Sequence, residues 1–421
     1  MRIAVVGGGV AGLTATWLLQ QRHDVWLYEQ SDRVGGHAHT ALMTCEDRQI
    51  PVDTAFVIYN RDTYPTFSRL LDYLGVASRP APTSFSCHIA ERGVGYVYGR
   101  GRFRTAPSNW LRPSFRRMVL DTLRFYREIP TRLNGLGSRD GLTIGRYLER
   151  EGYGREFMEN VLLPIASALW SLPLAACHNL EFGAFVEAFA EARFLSIGNR
   201  RHWRTVVGGS HEYVRRLVKP FEDRVRLRTA VRSVTRERAG VRVLDGSGAE
   251  DRFDQIIFAS HADQTLTLLT DASVAERCVL GGFTYYANTV HLHHDRALMP
   301  TPRSHWATWN YFASTQHDPH RPVAHTYWMN KLQGIDDSLP TFVSLNPIVA
   351  PESGRSERFF RYEHPTLDSP AVKSQRELSH IQGQNRTWFC GSCFERGGSH
   401  EDAFRTGLQV ARSFGVDLPW Q

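Results

Sequence analysis

Along the chain, apolar residues fall into several successive patterns, and the first of them is a strand. Arg2 to Val6 is mostly apolar at consecutive positions, as in strands covered on both faces. Gly7-Gly8-Gly9-Val10-Ala11-Gly12 follows without a gap, Leu13 to Leu19 reads as a helix, and Asp24 to Glu29 reads as a second strand. Together they predict a β-α-β unit. From about Pro51 to Arg200 the spacing turns helical. Phe115, Met118, Val119, Thr122, Leu123 and Tyr126 trace one face of a helix between Arg112 and Ile129. Strand-like alternation returns at Val225 to Leu227, Val231 to Thr235 and Val241 to Leu244, with Asp245-Gly246-Ser247-Gly248 as a turn. Asp254 to Ser260 reads as a buried parallel strand, and Gly282 to Tyr362 mixes strand-like runs with many aromatic residues. Arg386 to Gly391 returns to a buried strand, and a last helix covers about Glu401 to Phe414.

A chain of 421 residues is too long for one compact core, and the pattern predicts two interleaved lobes. Residues 1–85, 205–275 and 381–421 form an α/β, Rossmann-like dinucleotide-binding domain interrupted twice. The insertions, a helical part at 86–204 and a sheet part at 276–380, together make an α+β substrate domain. Apolar residues at 42% and aromatics at 11% suffice for such cores.

Charge changes the picture in one place. The net charge of +7 is carried almost wholly by arginine, since Lys219, Lys331 and Lys373 are the three lysines. Arg100, Arg102, Arg104, Arg112, Arg116, Arg117, Arg124, Arg127 and Arg132 crowd one stretch, which a solvated helix face explains and which a basic face for phosphate or anionic lipid explains as well. No run approaches the roughly 20 apolar residues of a membrane span. Met1-Arg2 leads straight into a strand, which speaks against a signal peptide. A cytoplasmic location is expected, with the basic helix allowing peripheral contact at the inner membrane surface, and nucleic acid is not an expected partner. Cys45, Cys87, Cys177, Cys278, Cys390 and Cys393 show no disulfide or zinc spacing.

Gly7, Gly9 and Gly12 stand at G-x-G-x-x-G spacing between strand and helix, and Glu29 ends the next strand. The first glycine allows the turn, the second admits a pyrophosphate to the backbone, and the third lets helix and strand pack closely. The anion then lies at the positive end of the helix, and Glu29 can accept ribose hydroxyls. Ser31 to Thr40, with Arg33, Gly35, Gly36 and His37, resembles the R-x-G-G-R-x-x-[ST] element of the flavin amine-oxidase and phytoene-desaturase superfamily, with His37 in place of the second arginine. The resemblance implies FAD on a glutathione-reductase type fold. It also implies that backbone near Val231 holds the adenine, and that Gly391 and His400-Glu401-Asp402-Ala403 form the C-terminal flavin element, with Asp402 and Ala403 at the cofactor.

Pro51 to Asn60, Thr63-Tyr64-Pro65, Ser84-Phe85-Ser86, Leu162-Leu163-Pro164, Trp170-Ser171, Trp203 to Val206 and Trp306 to Asn310 are similar to a bacterial flavoprotein group. That group itself resembles the N-terminal oxidoreductase-like region of plant cyclopropane fatty acid synthases. This resemblance implies an apolar, fatty-acyl kind of substrate and association with a lipid-modifying methyltransferase. The chain departs from the group at Ser392 to Ser399, where a Trp-Thr-Gly-Tyr-Gly-like loop is usual, so substrate or reaction can differ.

The expected function is an FAD-dependent oxidase, dehydrogenase or desaturase acting on an apolar substrate. An amine oxidase on a small soluble substrate, an isomerase or cyclase without net oxidation, and a flavoprotein that only supports a neighbouring enzyme stay open. His400 and Lys331 are the candidate catalytic residues. Related amine oxidases place a lysine near the flavin, but the context of Lys331 does not match and a surface lysine is the better reading. Cys390 and Cys393 have redox spacing without the thioredoxin-like context. His291, His293 and His294 lack an acidic or cysteine partner for a metal, and none is expected.

Overall fold

The computed structural model of the protein describes residues 1–45, 48–89, 94–99, 102–132, 142–191, 203–313, 324–395 and 397–420. At its centre is a five-stranded parallel sheet in the order Val225–Arg226, Asp24–Tyr28, Arg2–Val6, Gln255–Phe258, Thr387–Phe389. Ile3, Ala4, Val5, Ile256, Ile257 and Phe258 are fully buried, the reason these strands are apolar at successive positions. Helices Val10–Leu19 and His400–Ser413 pack on this sheet in direct contact. A Cβ on Gly407 would come within 2.4 Å of the Ala11 carbonyl oxygen, so glycine is what lets the two axes approach. A three-stranded antiparallel sheet, Val231–Glu237, Gly240–Asp245 and Glu250–Phe253, lies beside it and buries Val234, Val241 and Val243.

The second lobe rests on an eight-stranded sheet. Its order is Ser356–Pro365, Tyr285–His293, Phe342–Leu345, Ala324–Trp328, Trp309–Ala313, Ser84–Ile89, Val94–Gly99, Arg102–Thr105. On one face Val290, Leu292, Val343 and Leu345 pack with Met329 and Val52. Farther across the same face, by register, Cys87, Tyr96 and Tyr311 meet an aromatic helical core that includes Phe115, Phe125, Tyr147, Phe157, Phe185 and Phe189. Helices Pro113–Arg132, Ile144–Arg150, Leu163–Trp170, Leu174–Asn179 and Phe182–Glu191 enclose that core.

The helical spacing expected from Pro51 to Arg200 does not hold at Ser84–Ile89, Val94–Gly99 and Arg102–Thr105, which are strands. Ser84-Phe85-Ser86-Cys87-His88-Ile89 alternates with a period of two, and Phe85, Cys87 and Ile89 face the helical core. One neighbour of this strand is the nearby Val94–Gly99; the other is Trp309–Ala313, far along the chain, so no local signal announces that pairing. Strand Ser84–Ile89 also straddles the expected lobe limit at residue 85, and the sheet lobe takes in residues from 84 onward. Arg100 and Arg396 lie outside the described residues. Among the described residues, no helix is long and apolar enough to cross a membrane.

Candidate active site

Contacts that exclude any side chain shape the loop after the first strand. Gly7 holds φ at 109°, a backbone conformation that favours glycine. A Cβ on Gly12 would come within 2.0 Å of the Gly7 carbonyl oxygen, whereas a Cβ on Gly9 would meet nothing within 4 Å. Gly12 therefore sets the packing of helix on strand, and Gly9 leaves open space beside the backbone, as the close approach of an anion there would require. No side chain caps helix Val10–Leu19 at Gly9, so its first amides keep their donors for an anion.

Glu29 ties the second strand to this loop. Its Oε2 accepts from Gly8 N at 2.7 Å and its Oε1 from Ser31 N at 2.8 Å. A carboxylate offers about four acceptor positions, so capacity remains for ribose hydroxyls. Thr229 N donates to the Glu29 carbonyl at 2.9 Å, which brings the start of strand Val231–Glu237, and with it Val231, to the same place.

Residues Arg33 to His39 fold back over the glycines. Gly35 N donates to Gly8 O at 2.7 Å, and a Cβ on Gly36 would stand 3.1 Å from Gly9 Cα. The Arg33 guanidinium donates to Gly36 O at 3.0 Å. The His37 ring lies 5.2 Å from Tyr362 and 4.9 Å from His364, and its Nε2 is buried without a hydrogen-bond partner. Phe56 N donates to His37 O and Thr54 N to His39 O, joining the Pro51–Asn60 run to this segment. His39 Nδ1 and Thr54 Oγ1 both reach the Tyr362 hydroxyl, at 2.5 and 2.6 Å.

Histidines from three separate segments, His37, His261 and His364, lie near one another here. His261 stacks on Tyr285 with centroids 4.2 Å apart, and its Nδ1 stands 3.5 Å from Glu363 Oε2 without hydrogen-bond geometry. Burial, with His261 and Arg33 nearby, pushes His37 down to about 4. Burial, then His37 and His261, holds His364 well below the ordinary imidazole range, and burial lowers His261 as well. All three are therefore neutral near pH 7. An anion arriving beside Gly9 would favour their protonated forms.

His400 opens the C-terminal helix and stacks on Phe56, 3.7 Å between centroids with 7° between planes. Its Nε2 is 2.7 Å from the Tyr213 hydroxyl, and burial, with His37 next, lowers it to about 3. Ser399 and Asp402 form a capping box, with Asp402 Oδ2 accepting from Ser399 N and Oγ at 2.8 and 2.7 Å. The Asp402 carboxylate is thus engaged with its own helix. Ala403 lies in the first turn, and Gly391 N donates to Thr406 Oγ1 of this helix at 3.0 Å. Glu401 caps a different helix, accepting from Thr66 N and Phe67 N at 2.9 and 2.8 Å.

Lys331 stands apart from this group. Its side chain is 41% exposed, its ammonium pairs with Asp337 at 2.5 Å and it lies over the Trp328 ring. Cys390 and Cys393 are free and buried. Burial raises both thiols, Cys393 to about 12, so neither is a thiolate near neutral pH. His293 is a buried sheet residue whose Nε2 pairs with Ser344 Oγ and whose Nδ1 accepts from Asp295 N. Among the described residues, no group of three or more His, Cys, Asp or Glu is placed to hold a metal ion.

Several residues at the site had no assigned role in the sequence reading. Asp53 is buried and joins three segments, accepting from Thr40 Oγ1 at 2.6 Å, Ser210 N at 2.8 Å and Gln333 Nε2 at 2.9 Å; burial raises its carboxyl to about 6. Trp170 Nε1 donates to Gly397 O at 3.2 Å, bringing the helical lobe onto the loop that leads to Ser399. His261 carried a usable signal, since it lies just beyond the carboxyl end of a parallel strand, where α/β sheets place their ligands. His364 and Tyr362 carried none, because only the sheet register turns them toward His37.

A family model described as flavin containing amine oxidoreductase matches residues 10–309. No curated protein sequence matches the chain. Among solved structures, a CLA-producing fatty acid isomerase from P. acnes is 17% identical, with 98% of each chain covered and a TM-score of 0.66. Cyclohexylamine oxidase from Brevibacterium oxydans is 14% identical over 98% of each chain, with a TM-score of 0.70. Putrescine oxidase bound to putrescine is 15% identical, covers 98% of this chain and 99% of its own, and has a TM-score of 0.70. At these identities the likeness shows a common fold.

Proposed function

The chain belongs to the family of flavin-containing amine oxidoreductases and is an FAD-dependent oxidoreductase, and from that premise we propose that it acts on a long apolar, fatty-acyl substrate. FAD, when bound, supplies the acceptor for a hydride from a substrate C–H bond, leaving a C=C or C=N bond. The chain's own part is to hold and orient. In this reading Gly7, Gly9, Gly12, Gly35, Gly36 and Arg33 hold the diphosphate, Glu29 and Val231 the adenosine end, and Gly391, Asp402 and Ala403 the helix start at the flavin end. His37 lines the diphosphate. His400, neutral and clamped by Phe56 and Tyr213, positions that end of the site. Lys331 has no catalytic part in this proposal.

One observation carries the apolar substrate. Helix Leu163–Trp170 has no charged residue, and its half-buried side chains Ile165, Leu169 and Trp170 pack against the aromatic helical core while keeping part of their apolar surface uncovered. Trp170 ties that surface to Gly397 at 3.2 Å, beside the loop that precedes His400. An ammonium or polyol would find no polar partner along it, whereas an acyl chain would be covered. The test is anaerobic mixing of the yellow protein with lipid extract. Bleaching of the flavin absorption, with a new double bond in the lipid by mass spectrometry, is expected. Bleaching by a soluble amine and not by lipid would overturn the proposal.

A second reading follows from the likeness to a fatty acid isomerase. Turnover of an acyl substrate with no electron acceptor, and no net bleaching, would favour isomerisation over oxidation. The substrate would reach the site from a lipid surface touched by the arginine-rich face of helix Pro113–Arg132.

A further inference from the structure

We propose that helix Pro113–Arg132 and the short helix before it, Pro107–Trp110, form a docking surface for an anionic lipid bilayer. The core side of the long helix is complete: Phe115, Met118, Phe125 and Ile129 are buried in the aromatic core. At about 100° per residue, Arg112, Arg116, Leu120, Leu123 and Arg127 fall within an arc of about 80° on the opposite side. A solvated face should be polar there, yet Leu120 is 65% and Leu123 55% exposed, and Leu111 and Trp110, just before the helix, are 79% and 44% exposed. Leu120 and Leu123, three residues apart on one outer face, and the exposed Leu111 and Trp110 just before the helix, whose indole also packs on Phe103 and Phe115, together mark an interaction surface.

Charge decides the partner. The acidic residues of this helix are turned away from the stripe and paired: Asp121 accepts from Gly154 N and faces Arg117, and Glu128 pairs with Arg124. The stripe itself offers leucine and arginine. A second copy seated on the same face would set Arg112, Arg116 and Arg127 against their equivalents, a like-charge contact. A nucleic acid would satisfy the arginines and leave the leucines in water. An anionic bilayer satisfies both, with leucine and tryptophan entering the acyl boundary and arginine reaching back to the headgroups.

The inference deepens the acyl-substrate reading and rests on it for what the surface delivers, but vesicle binding and flavin bleaching can fail separately. The test uses the full-length flavoprotein and flotation with vesicles of equimolar phosphatidylglycerol and phosphatidylcholine, against phosphatidylcholine alone, at physiological salt. Binding to the anionic vesicles is expected. The double variant L120S/L123S should lower the bound fraction roughly tenfold or more, and R112Q/R116Q/R127Q should remove the preference for the anionic lipid, both with an unchanged flavin spectrum. No flotation, flotation unaltered by L120S/L123S, or a dimer that this variant converts to a monomer would each overturn the proposal.

Discussion

Glu29 accepts backbone hydrogen bonds from Gly8 and Ser31, so it shapes the loop as well as, in the proposed reading, offering acceptors to the ribose. Glu29→Ala removes both functions. A hydrogen bond to a charged group contributes about 1.5–3 kcal/mol, so FAD binding should weaken about ten- to hundredfold, read by fluorescence titration of the apoprotein. Retention of FAD at wild-type affinity would show that the adenosine end is held elsewhere. His37 illustrates the opposite case, a residue whose neighbours matter more than its place in a motif. His364 and Tyr362 reach it from a strand more than 300 positions along the chain, and they leave its Nε2 directed at no protein acceptor.

Between elements, the buried pair of Arg236 and Glu276 links strand Val231–Glu237 to helix Val274–Leu280. Arg236 reaches Glu276 through both terminal nitrogens and also pairs with Asp271, while Glu276 forms a capping box with Ser273. Burial, the largest single effect, would raise Glu276; the hydrogen bonds from Arg236 and Ser273 and the Arg236 charge together outweigh it and hold the carboxyl below its ordinary value. Breaking one side leaves a buried charge unpaired, which costs about 3–5 kcal/mol. Arg236→Met should therefore lower the urea unfolding midpoint markedly, whereas a small change would mean that water replaces the guanidinium. The same logic explains helix Pro65–Tyr73, which lacks a side-chain cap of its own and takes one from Glu401.

Across the whole molecule, His37, His39 and His293 are lowered to about 4 and His325 and His400 to about 3, in each case first by burial. The unfolded chain takes up protons near the ordinary value of 6.5, while the folded chain does not until much lower pH. Below 6.5 the unfolded state binds more protons, so stability falls as pH falls. These groups should leave the thermal midpoint of the FAD-free protein unaffected above pH 6.5 and lower it steadily toward pH 4. A midpoint that rises on acidification over that window would contradict their burial as neutral imidazoles.

The sequence by itself determined the cofactor half of the protein. Strand Arg2–Val6, the glycine spacing, Glu29, the turn at Asp245 and the strand Gln255–Phe258 are all local patterns, because a pyrophosphate loop and a doubly covered strand impose their residues within a few positions. Tertiary structure decided what depends on distant pairing. Strand Ser84–Ile89 takes its place between the nearby Val94–Gly99 and the distant Trp309–Ala313, Glu401 caps a helix far from its own, and His37, His261 and His364 come near one another from a loop, the end of a parallel strand and an antiparallel strand. The arginines of helix Pro113–Arg132 were legible as charge, but that leucines share their outer stripe followed only from the rotation of the helix on its core. Periodicity specifies which face a helix can bury; packing settles which face it does.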